Sequence, residues 1–205
     1  GILERLQIER LDSLLLHRPD ALMEPEEVAA AFDYLEQAGK VHHFGVSNQN
    51  PMMMELLKTT VKQPLKVNQL QLSAAFTPSF EAGFHVNMEG SKAAVRDGSV
   101  FEYCRLYDTV IQAWSVLQHG YFKGNFVGNE EFADLNHVLN DLAKKYQVTP
   151  TAIALAWVLR YPGKMQAVIG TTKPQHVLEA GKAAEVTLTR KEWYQIYLAA
   201  GNDLP

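Results

Sequence analysis

Short apolar runs recur along the chain, and each is followed by a polar turn and then by a stretch with helical spacing of its apolar residues. These runs predict strands at Leu11 to Leu16, Val41 to Val46, Leu65 to Leu72, Thr109 to Ala113 and Met165 to Ile169. An unbroken apolar run is typical of a strand that is buried on both faces of a sheet. The alternation of strand and helix therefore predicts the α/β class, with a parallel sheet and crossover helices.

Proline and glycine mark the boundaries of the predicted helices. Proline is favoured at the first helical position, and glycine is favoured just after the last one. Pro25 and Gly39 bracket a helix with Val28, Phe32 and Leu35 on one face. Further helices are predicted to begin at Asn50-Pro51, at Glu130 (ending at Tyr146), at Thr149-Pro150 and near Pro174, and residues 1–11 resemble the end of a helix.

One long segment interrupts this alternation. Residues 75–99 contain several glycine and aromatic residues and show no clean periodicity of either kind. Connections of this length without secondary structure are uncommon in compact domains, and they often carry function. The segment is therefore predicted to be a substrate loop or a lid.

Composition places the chain among globular proteins and excludes several kinds of partner. The chain has 205 residues, of which 47% are hydrophobic, and this is enough for a single domain over residues 1–205. A formal charge of -4 provides no basic surface for nucleic acid or anionic lipid. The longest apolar helical stretch, Ala152 to Leu159, is far shorter than the roughly 20 residues that cross a bilayer. Cys104 is the single cysteine, which excludes an internal disulfide and favours the cytoplasm.

Polar side chains stand where the predicted strands end. In a (β/α) barrel, the carboxyl ends of the strands form the active site. A hydroxyl beside an amide can pair with a carboxamide, which suits nicotinamide, and a tryptophan offers a flat surface to an aromatic ring. The residues at the first four strand ends are His17, Ser47 with Asn48, Asn68 with Gln69, and Trp114 with Ser115. His17 is the first candidate for a catalytic residue, with a core histidine as the alternative.

The fifth strand end carries the most specific pattern. Gly170, Thr171, Thr172 and Lys173 follow the strand directly, and a helix is predicted to start near Pro174. Backbone N–H groups at a helix start, assisted by hydroxyls and an ammonium, form an anion site. Barrels often hold phosphate after their last two strands. These residues therefore predict a phosphorylated ligand.

Each of these features also has a purely structural interpretation. Ser47 and Asn48 can cap a helix, and an Asn68–Gln69 pair can satisfy loop backbone. Trp114 can belong to the core instead of a ligand site. The occurrence of all these groups at strand ends, in an order that suits one ligand, favours a shared site.

Two adjacent histidines raise the question of a metal. His42 and His43 adjoin within the second predicted strand. Successive side chains of a strand point to opposite faces, so the two imidazoles are expected to diverge. No carboxylates or thiols are arranged around them in the sequence, and no metal site is predicted.

Five segments together resemble one enzyme family. LDSLLLHRPD, GKVHHFGVSN, VNQLQLS, AWSVL and VIGTTKPQHV, in this order and spacing, resemble the aldo-keto reductases. The resemblance runs from near residue 5 to the end, and the closing KEWYQIYLAAGNDLP is similar to a bacterial subgroup of oxidoreductases. It implies a (β/α)8 TIM barrel, here incomplete, that reduces small aldehydes or ketones with NAD(P)H as a monomer or homodimer.

The resemblance also implies a role for each matched residue. His17 would orient the substrate carbonyl, and Trp114 would stack on the nicotinamide ring. The remaining residues would contact the cofactor: Ser47, Asn48 and Gln69 its carboxamide, Ser115, Leu117 and Gly120 its pyrophosphate, and Gly170, Thr171, Thr172, Lys173, His176 and Glu179 its adenosine end.

Some positions depart from the family pattern. Gly170 stands where many NADPH-specific members carry a basic residue, and His176 stands where they carry arginine. Lys173 is the candidate substitute, so NADP(H) is the expected cofactor, with NAD(H) as the alternative. Ala180 replaces the asparagine that commonly follows the glutamate, which weakens the implied adenine contact.

The catalytic tetrad of the family is represented here by His17 alone. No segment matches the strands that carry its aspartate, tyrosine and lysine, so general acid catalysis, typically worth about 10²–10⁴-fold, would be missing. The chain by itself is therefore expected to be inactive and to be part of a longer reductase. Two alternatives stay open, namely a non-catalytic nicotinamide-nucleotide-binding or regulatory module, and a barrel lyase or isomerase that binds a phosphorylated substrate.

Overall fold

The fold was analysed in a computed structural model, which describes residues 1–20, 23–84, 99–120 and 123–202. The strands are β1 (Leu11–Leu16), β2 (Val41–Ser47), β3 (Leu65–Gln71), β4 (Val110–Trp114) and β5 (Met165–Ala167). The helices are α1 (Ile2–Leu6), α2 (Pro25–Gln37), α3 (Pro51–Lys58), α4 (Pro78–Phe84), α5 (Val100–Leu106), α6 (Ala133–Tyr146), α7 (Pro150–Leu159), α8 (Pro174–Gly181) and α9 (Arg190–Ala199).

The strands form one five-stranded sheet in chain order, β1-β2-β3-β4-β5. Strand β2 pairs in parallel with β1 on one side and with β3 on the other, and a register irregularity lies between Phe44 and Gly45. Helices follow the strands as crossovers. The predicted α/β class is confirmed, and the arrangement is that of an incomplete (β/α)8 barrel.

Element boundaries agree with the sequence signals wherever a cap residue is present. Asn50 Oδ1 accepts from the N–H of Met53 at 2.9 Å at the start of α3, and Thr149 Oγ1 accepts from the N–H of Ala152 at 3.2 Å at the start of α7. Gly39 has φ of 65°, the left-handed conformation that ends the turn after α2. The predicted helix from Glu130 begins as a 3₁₀ turn and becomes α-helical at Ala133.

Part of the long segment after β3 is helical. Residues 78–84 form α4, and the substrate loop or lid predicted over residues 75–99 stays a prediction. Pro78 at the first position and the short length account for the missing periodicity, because a helix of this size shows barely two turns. The predicted lid over residues 85–98 lies outside the described residues.

The two histidines of β2 also differ from their prediction. The rings of His42 and His43 stack with centroids 4.3 Å apart and planes 15° from parallel, so the expected divergence is wrong. Both residues are exposed at the start of the strand. Neither ring is packed in the core, so both side chains are free to turn toward each other. Stacking then shields one face of each ring from water.

Contacts divide the chain into two compact units. The first comprises Gly1–Leu70 with Ser99–Ile111, and the second comprises Gln71–Gly98 with Gln112–Pro205. In the first unit, Phe32 of α2 stacks on Phe44 of β2 at 4.1 Å. The buried core around this pair also contains Val41, Val46, Met54, Leu57, Val61, Leu65 and Tyr103. A single domain over residues 1–205 stays a prediction.

The second unit is organised around a tryptophan pair. Trp157 of α7 and Trp193 of α9 stack at 4.8 Å, and each indole N–H donates to the backbone carbonyl of the other residue, at 3.0 and 3.1 Å. Phe80 of α4 packs edge-on against both rings. These reciprocal bonds satisfy both indoles while the rings are buried, which fixes the register of α7 against α9.

Candidate functional site

Ser47, Asn48 and Gln69 form one hydrogen-bonded group at the carboxyl ends of β2 and β3. Ser47 Oγ donates to the carbonyl of Gln69 at 3.0 Å, and the backbone N–H of Asn48 donates to the same carbonyl at 3.0 Å. Asn48 Nδ2 donates to Ser47 Oγ at 2.8 Å. The sequence-predicted amide and hydroxyl groups are therefore brought together within the first unit.

The backbone conformation of Asn48 is part of this arrangement. Asn48 has φ of 54°, in the left-handed region that a residue other than glycine adopts at some cost. Asparagine tolerates this region better than most residues because its short polar side chain bonds locally, as it does here to Ser47. The side chain of Ser47 is buried, whereas Asn48 and Gln69 are partly exposed.

Gly45 lets β2 approach β3 closely just before this group. A Cβ atom at Gly45 would lie 2.5 Å from the carbonyl oxygen of Val67 and 2.6 Å from Leu15 Cδ2. Both distances are shorter than real carbon contacts. Only glycine fits at this point of the sheet, so the approach that brings Ser47 and Asn48 to Gln69 depends on it.

His17 lies directly after β1 and is exposed. This places its imidazole at a strand carboxyl end, as the sequence predicts, and makes a satisfied core histidine the weaker interpretation. Its catalytic role stays a prediction.

In the second unit, Trp114 ends β4 and is partly exposed, and its carbonyl accepts from the N–H of Leu72 at 3.3 Å. Ser115 follows with φ of 53° and begins a tight turn, in which its carbonyl accepts from the N–H of Gln118 at 2.9 Å. The carbonyl of Leu117 accepts from the N–H of Phe126 at 3.1 Å. The chain after β4 thus folds back on itself.

Gly120 lies at the tip of this fold. Its φ is 149°, and a Cβ atom there would meet Lys123 Cδ at 2.8 Å. The neighbouring N–H of His119 donates to the carbonyl of Gly124 at 3.2 Å. Trp114 therefore ends the strand, Ser115 and Leu117 lie in the turn that follows it, and Gly120 lies just beyond that turn. Their contacts to a ligand stay predictions.

The residues after β5 are partly or fully exposed. Thr171 Oγ1 accepts from the N–H of Lys173 at 3.2 Å and lies 3.4 Å from His176 Nδ1. Lys173 caps the start of α8, and Glu179 accepts from Gln175 Nε2 at 3.1 Å within that helix. Gly170 and Thr172 are exposed beside them. The Thr171 hydroxyl and the His176 imidazole thus lie together at the start of α8, beside the backbone of Lys173, and this chemistry suits an anion.

One group of titratable side chains and one thiol lie apart from the predicted site residues. In the first unit, Lys58 Nζ lies 2.9 Å from Glu55 Oε1 and 3.7 Å from the ring centre of Tyr107, and Tyr103 hydrogen-bonds to both Lys58 and Glu55. Burial raises the pKa of the Tyr103 phenol, so this group is no more acidic than usual. Burial likewise raises the pKa of the Cys104 thiol to about 11, which leaves that thiol protonated and inert.

One residue of the site region, Gln49, was not predicted from the sequence. Gln49 is 2% exposed, and its backbone carbonyl accepts from Asn68 Nδ2 at 2.8 Å. The sequence signal for Asn68 was an amide inside an apolar strand, which identified a polar position but not its partner. The bond joins segments 19 residues apart, and no local pattern encodes it.

Two searches of the described residues were negative. Over residues 1–20, 23–84, 99–120 and 123–202, no group of three or more His, Cys, Asp or Glu side chains could hold a metal ion. Within the same ranges, no helix combines the length and the apolar character that a transmembrane span requires.

Comparison with known proteins gives consistent results for sequence and fold. The chain is 32% identical over 198 residues to the 6-dehydroglucose reductase of Agrobacterium fabrum, covering 96% of this chain and 59% of that protein. It is 34% identical over 202 residues to the oxidoreductase YdhF of Escherichia coli, covering 98% of this chain and 61% of that protein. The chain therefore spans about three fifths of the length of these relatives.

A solved structure shows the same fold. The aldo/keto reductase of Klebsiella pneumoniae, crystallised with NADP and acetate, superposes with a TM-score of 0.72 at 23% identity, covering 95% of this chain and 60% of that one. The model of the aldo/keto reductase family matches residues 1–199. With nearly the whole chain matched and relatives above 30% identity, the chain belongs to the aldo/keto reductase family.

Proposed function

We propose that this chain is part of a longer NADP(H)-dependent reductase that converts small aldehydes or ketones to alcohols. The observation that carries the proposal is the hydrogen-bonded group of Ser47, Asn48 and Gln69 at the ends of β2 and β3, in a chain of this family. Its relatives are named as reductases and oxidoreductases, and they are longer than this chain.

The polar atoms of this group fit a carboxamide. Ser47 Oγ already donates to Gln69 and accepts from Asn48, so its hydrogen-bonding capacity is largely used. Asn48 Oδ1 accepts no bond from the described part of the chain, and Asn48 is partly exposed. An amide oxygen in this state can accept from the amide N–H of nicotinamide, which is the role we assign to Asn48.

The preference for NADP(H) rests on the residues around the start of α8. Thr171, Lys173 and His176 offer a hydroxyl, an ammonium and an imidazole to the phosphate on the adenosine ribose. The Klebsiella pneumoniae structure contains NADP, which supports the same choice for this chain. NAD(H) is the alternative, because Gly170 adds no positive charge.

His17 is assigned to the substrate. From its exposed position after β1, the imidazole can donate a hydrogen bond to a carbonyl oxygen and hold the carbonyl in one orientation. When bound, the reduced nicotinamide supplies the hydride that such a carbonyl receives.

The test is a steady-state assay on the protein with its preceding sequence. NADPH oxidation is followed with a panel of aldehydes and ketones that includes a 6-dehydro sugar, because the Agrobacterium fabrum relative is named for that substrate. His17→Ala is expected to lower kcat/KM about 10²-fold. His137→Ala, in an exposed histidine of α6, is the matched control and should have no effect. An unchanged rate in His17→Ala would remove the assignment.

A second function is cofactor binding without catalysis. It would use the group of Ser47, Asn48 and Gln69 to hold the cofactor alone. Tight NADPH binding with no turnover on the whole panel, measured with the preceding sequence present, would establish this function instead.

A further inference from the structure

Asn68 is enclosed in the first unit although it carries a polar amide. Its side chain is 0% exposed, and its neighbours in β3 include the buried apolar residues Val67 and Leu70. Burying an amide is unfavourable unless its groups find partners. Asn68 Nδ2 has such partners, because it donates to the backbone carbonyl of Gln49 at 2.8 Å and contacts Met54 Sδ at 3.5 Å.

The other half of the same amide has no partner. Asn68 Oδ1 is buried and accepts no hydrogen bond from any residue that the structure describes. Rotating the amide by half a turn would not help, because Oδ1 would then face the carbonyl oxygen of Gln49, another acceptor. An apolar side chain of the same size would avoid the unsatisfied oxygen. The amide is therefore poorly suited to core packing and well suited to holding Gln49.

The segment that Asn68 holds contains the proposed carboxamide contacts. Asn48, with φ of 54°, lies between Ser47 and Gln49. Such a conformation persists only when its surroundings hold it. Gln69 holds one side through its carbonyl, which accepts from the N–H of Asn48, and Asn68 holds the other side at the carbonyl of Gln49. Two consecutive residues of β3 thus hold the backbone on both sides of Asn48.

We propose that Asn68 is a positioning residue that fixes the backbone of residues 47–50, so that Asn48, whose side chain bonds to Ser47, is held ready for a nicotinamide carboxamide. The ligand in this statement rests on the proposed function. The role of Asn68 in fixing the backbone does not rest on the proposed function, and it can be measured without any cofactor.

The first measurement is amide hydrogen exchange of residues 47–50 in the ligand-free, full-length protein. Asn68→Leu keeps the branched shape and the number of heavy atoms of the side chain and removes the donor, and it is expected to speed exchange in this segment about tenfold relative to wild type. Phe32→Leu removes volume from the core of the same unit and leaves residues 47–50 unaltered. It should not change the ratio of the exchange rate in residues 47–50 to the exchange rate in the rest of the unit. Equal exchange in Asn68→Leu and Phe32→Leu would overturn the proposal.

The second measurement is equilibrium binding, which separates this proposal from the proposed function. Asn68→Leu should weaken binding of NADPH about tenfold and leave binding of adenosine 2′,5′-bisphosphate, which lacks nicotinamide, unchanged. Failure of the wild type to bind NADPH would reject the proposed function, and exchange would still decide the role of Asn68. If Asn68→Leu weakens the binding of NADPH and of adenosine 2′,5′-bisphosphate equally, the positioning role is rejected. Asn68→Ser, which is too short to reach Gln49, gives the same tests if Asn68→Leu does not fold.

Discussion

Single residues decide how closely β2 and β3 approach, and Gly45 is the clearest case. A methyl group there would lie 2.5 Å from the carbonyl oxygen of Val67, a backbone atom that cannot move without displacing β3. We expect Gly45→Ala to lower the free energy of unfolding by about 3 kcal/mol, at the upper end for overpacking. Denaturant titration measures the loss. Gly181→Ala, where a Cβ meets nothing within 4 Å, is the control and should change it by less than about 1 kcal/mol.

His176 is the residue whose identity should decide the cofactor. His176→Arg adds a permanent charge and a second N–H in bidentate geometry. Both would act on the 2′-phosphate of NADP⁺ if residue 176 contacts it. The expected result is about tenfold tighter binding of NADP⁺ with no change for NAD⁺. Titration calorimetry with both nucleotides measures the ratio. His137→Arg, on the exposed face of α6, is the control for added charge. Equal tightening of both nucleotides would show that the phosphate does not reach residue 176.

At the scale of elements, α9 depends on a buried carboxylate. Glu192 accepts from the N–H and the hydroxyl of Thr189, which caps the helix, and from Lys145 Nζ and Tyr146 of α6. Burial alone would raise the pKa of Glu192, but these hydrogen bonds outweigh it and lower the pKa to about 2 from an ordinary 4.5. The carboxylate therefore joins the cap of α9 to the end of α6.

The lowered pKa gives a stability that depends on pH. A group whose folded pKa lies below its unfolded value stabilises the fold fully above the unfolded value, and this contribution is lost as pH falls from 4.5 toward 2. Glu192→Gln should lower the free energy of unfolding by about 2 kcal/mol at pH 7. The variant should also lose part of the pH dependence between 4.5 and 2, as denaturation at several pH values would show. Parallel curves for variant and wild type would contradict the pKa shift.

Elements with local signals could be predicted from the sequence, whereas contacts between distant segments could not. Pro25, Asn50 and Thr149 predict helix starts, and short runs rich in apolar residues predict β1 to β4, because caps and burial act within a few residues. Strand β5 ends at Ala167, earlier than its apolar run, although the N–H of Val168 still donates to the carbonyl of Ala113 at 2.8 Å. The stacking of His42 on His43 depends on side-chain rotamers, and the bond from Asn68 to Gln49 depends on the pairing register of β2 and β3. Neither is encoded in a short stretch of sequence.

In the candidate site too, the residue types could be predicted from the sequence, whereas the backbone conformation could not. Ser47, Asn48 and Gln69 were identified by residue type and by their place at strand ends, and the structure brings them within hydrogen-bonding distance. The left-handed backbone at Asn48 could not be anticipated, since asparagine adopts it only in a particular tertiary setting. Sequence thus indicates which side chains take part, and structure adds how their backbone is held.

At the scale of the whole molecule, the sheet order of the described residues gives β1 and β5 one strand neighbour each. A closed eight-stranded barrel has no such edges, and exposed edges favour association with other chains. We expect residues 1–205 expressed alone to elute as a mixture of associated species in size-exclusion chromatography. The protein with its preceding sequence should elute as a single monomer or homodimer.

The same comparison tests where the general acid resides. Residues 1–205 alone should not oxidise NADPH with any aldehyde of the panel. No segment of this chain matches the strands that carry the family's aspartate, tyrosine and lysine, so general acid catalysis would be missing. The longer protein should do so, with His17 required. Intact mass of each preparation, against 23.0 kDa for the chain alone, verifies which species is assayed. Aldehyde-dependent NADPH oxidation by the 23.0 kDa species would mean that a proton donor lies within this chain, and it would make the tyrosines of residues 1–205 the next positions to substitute.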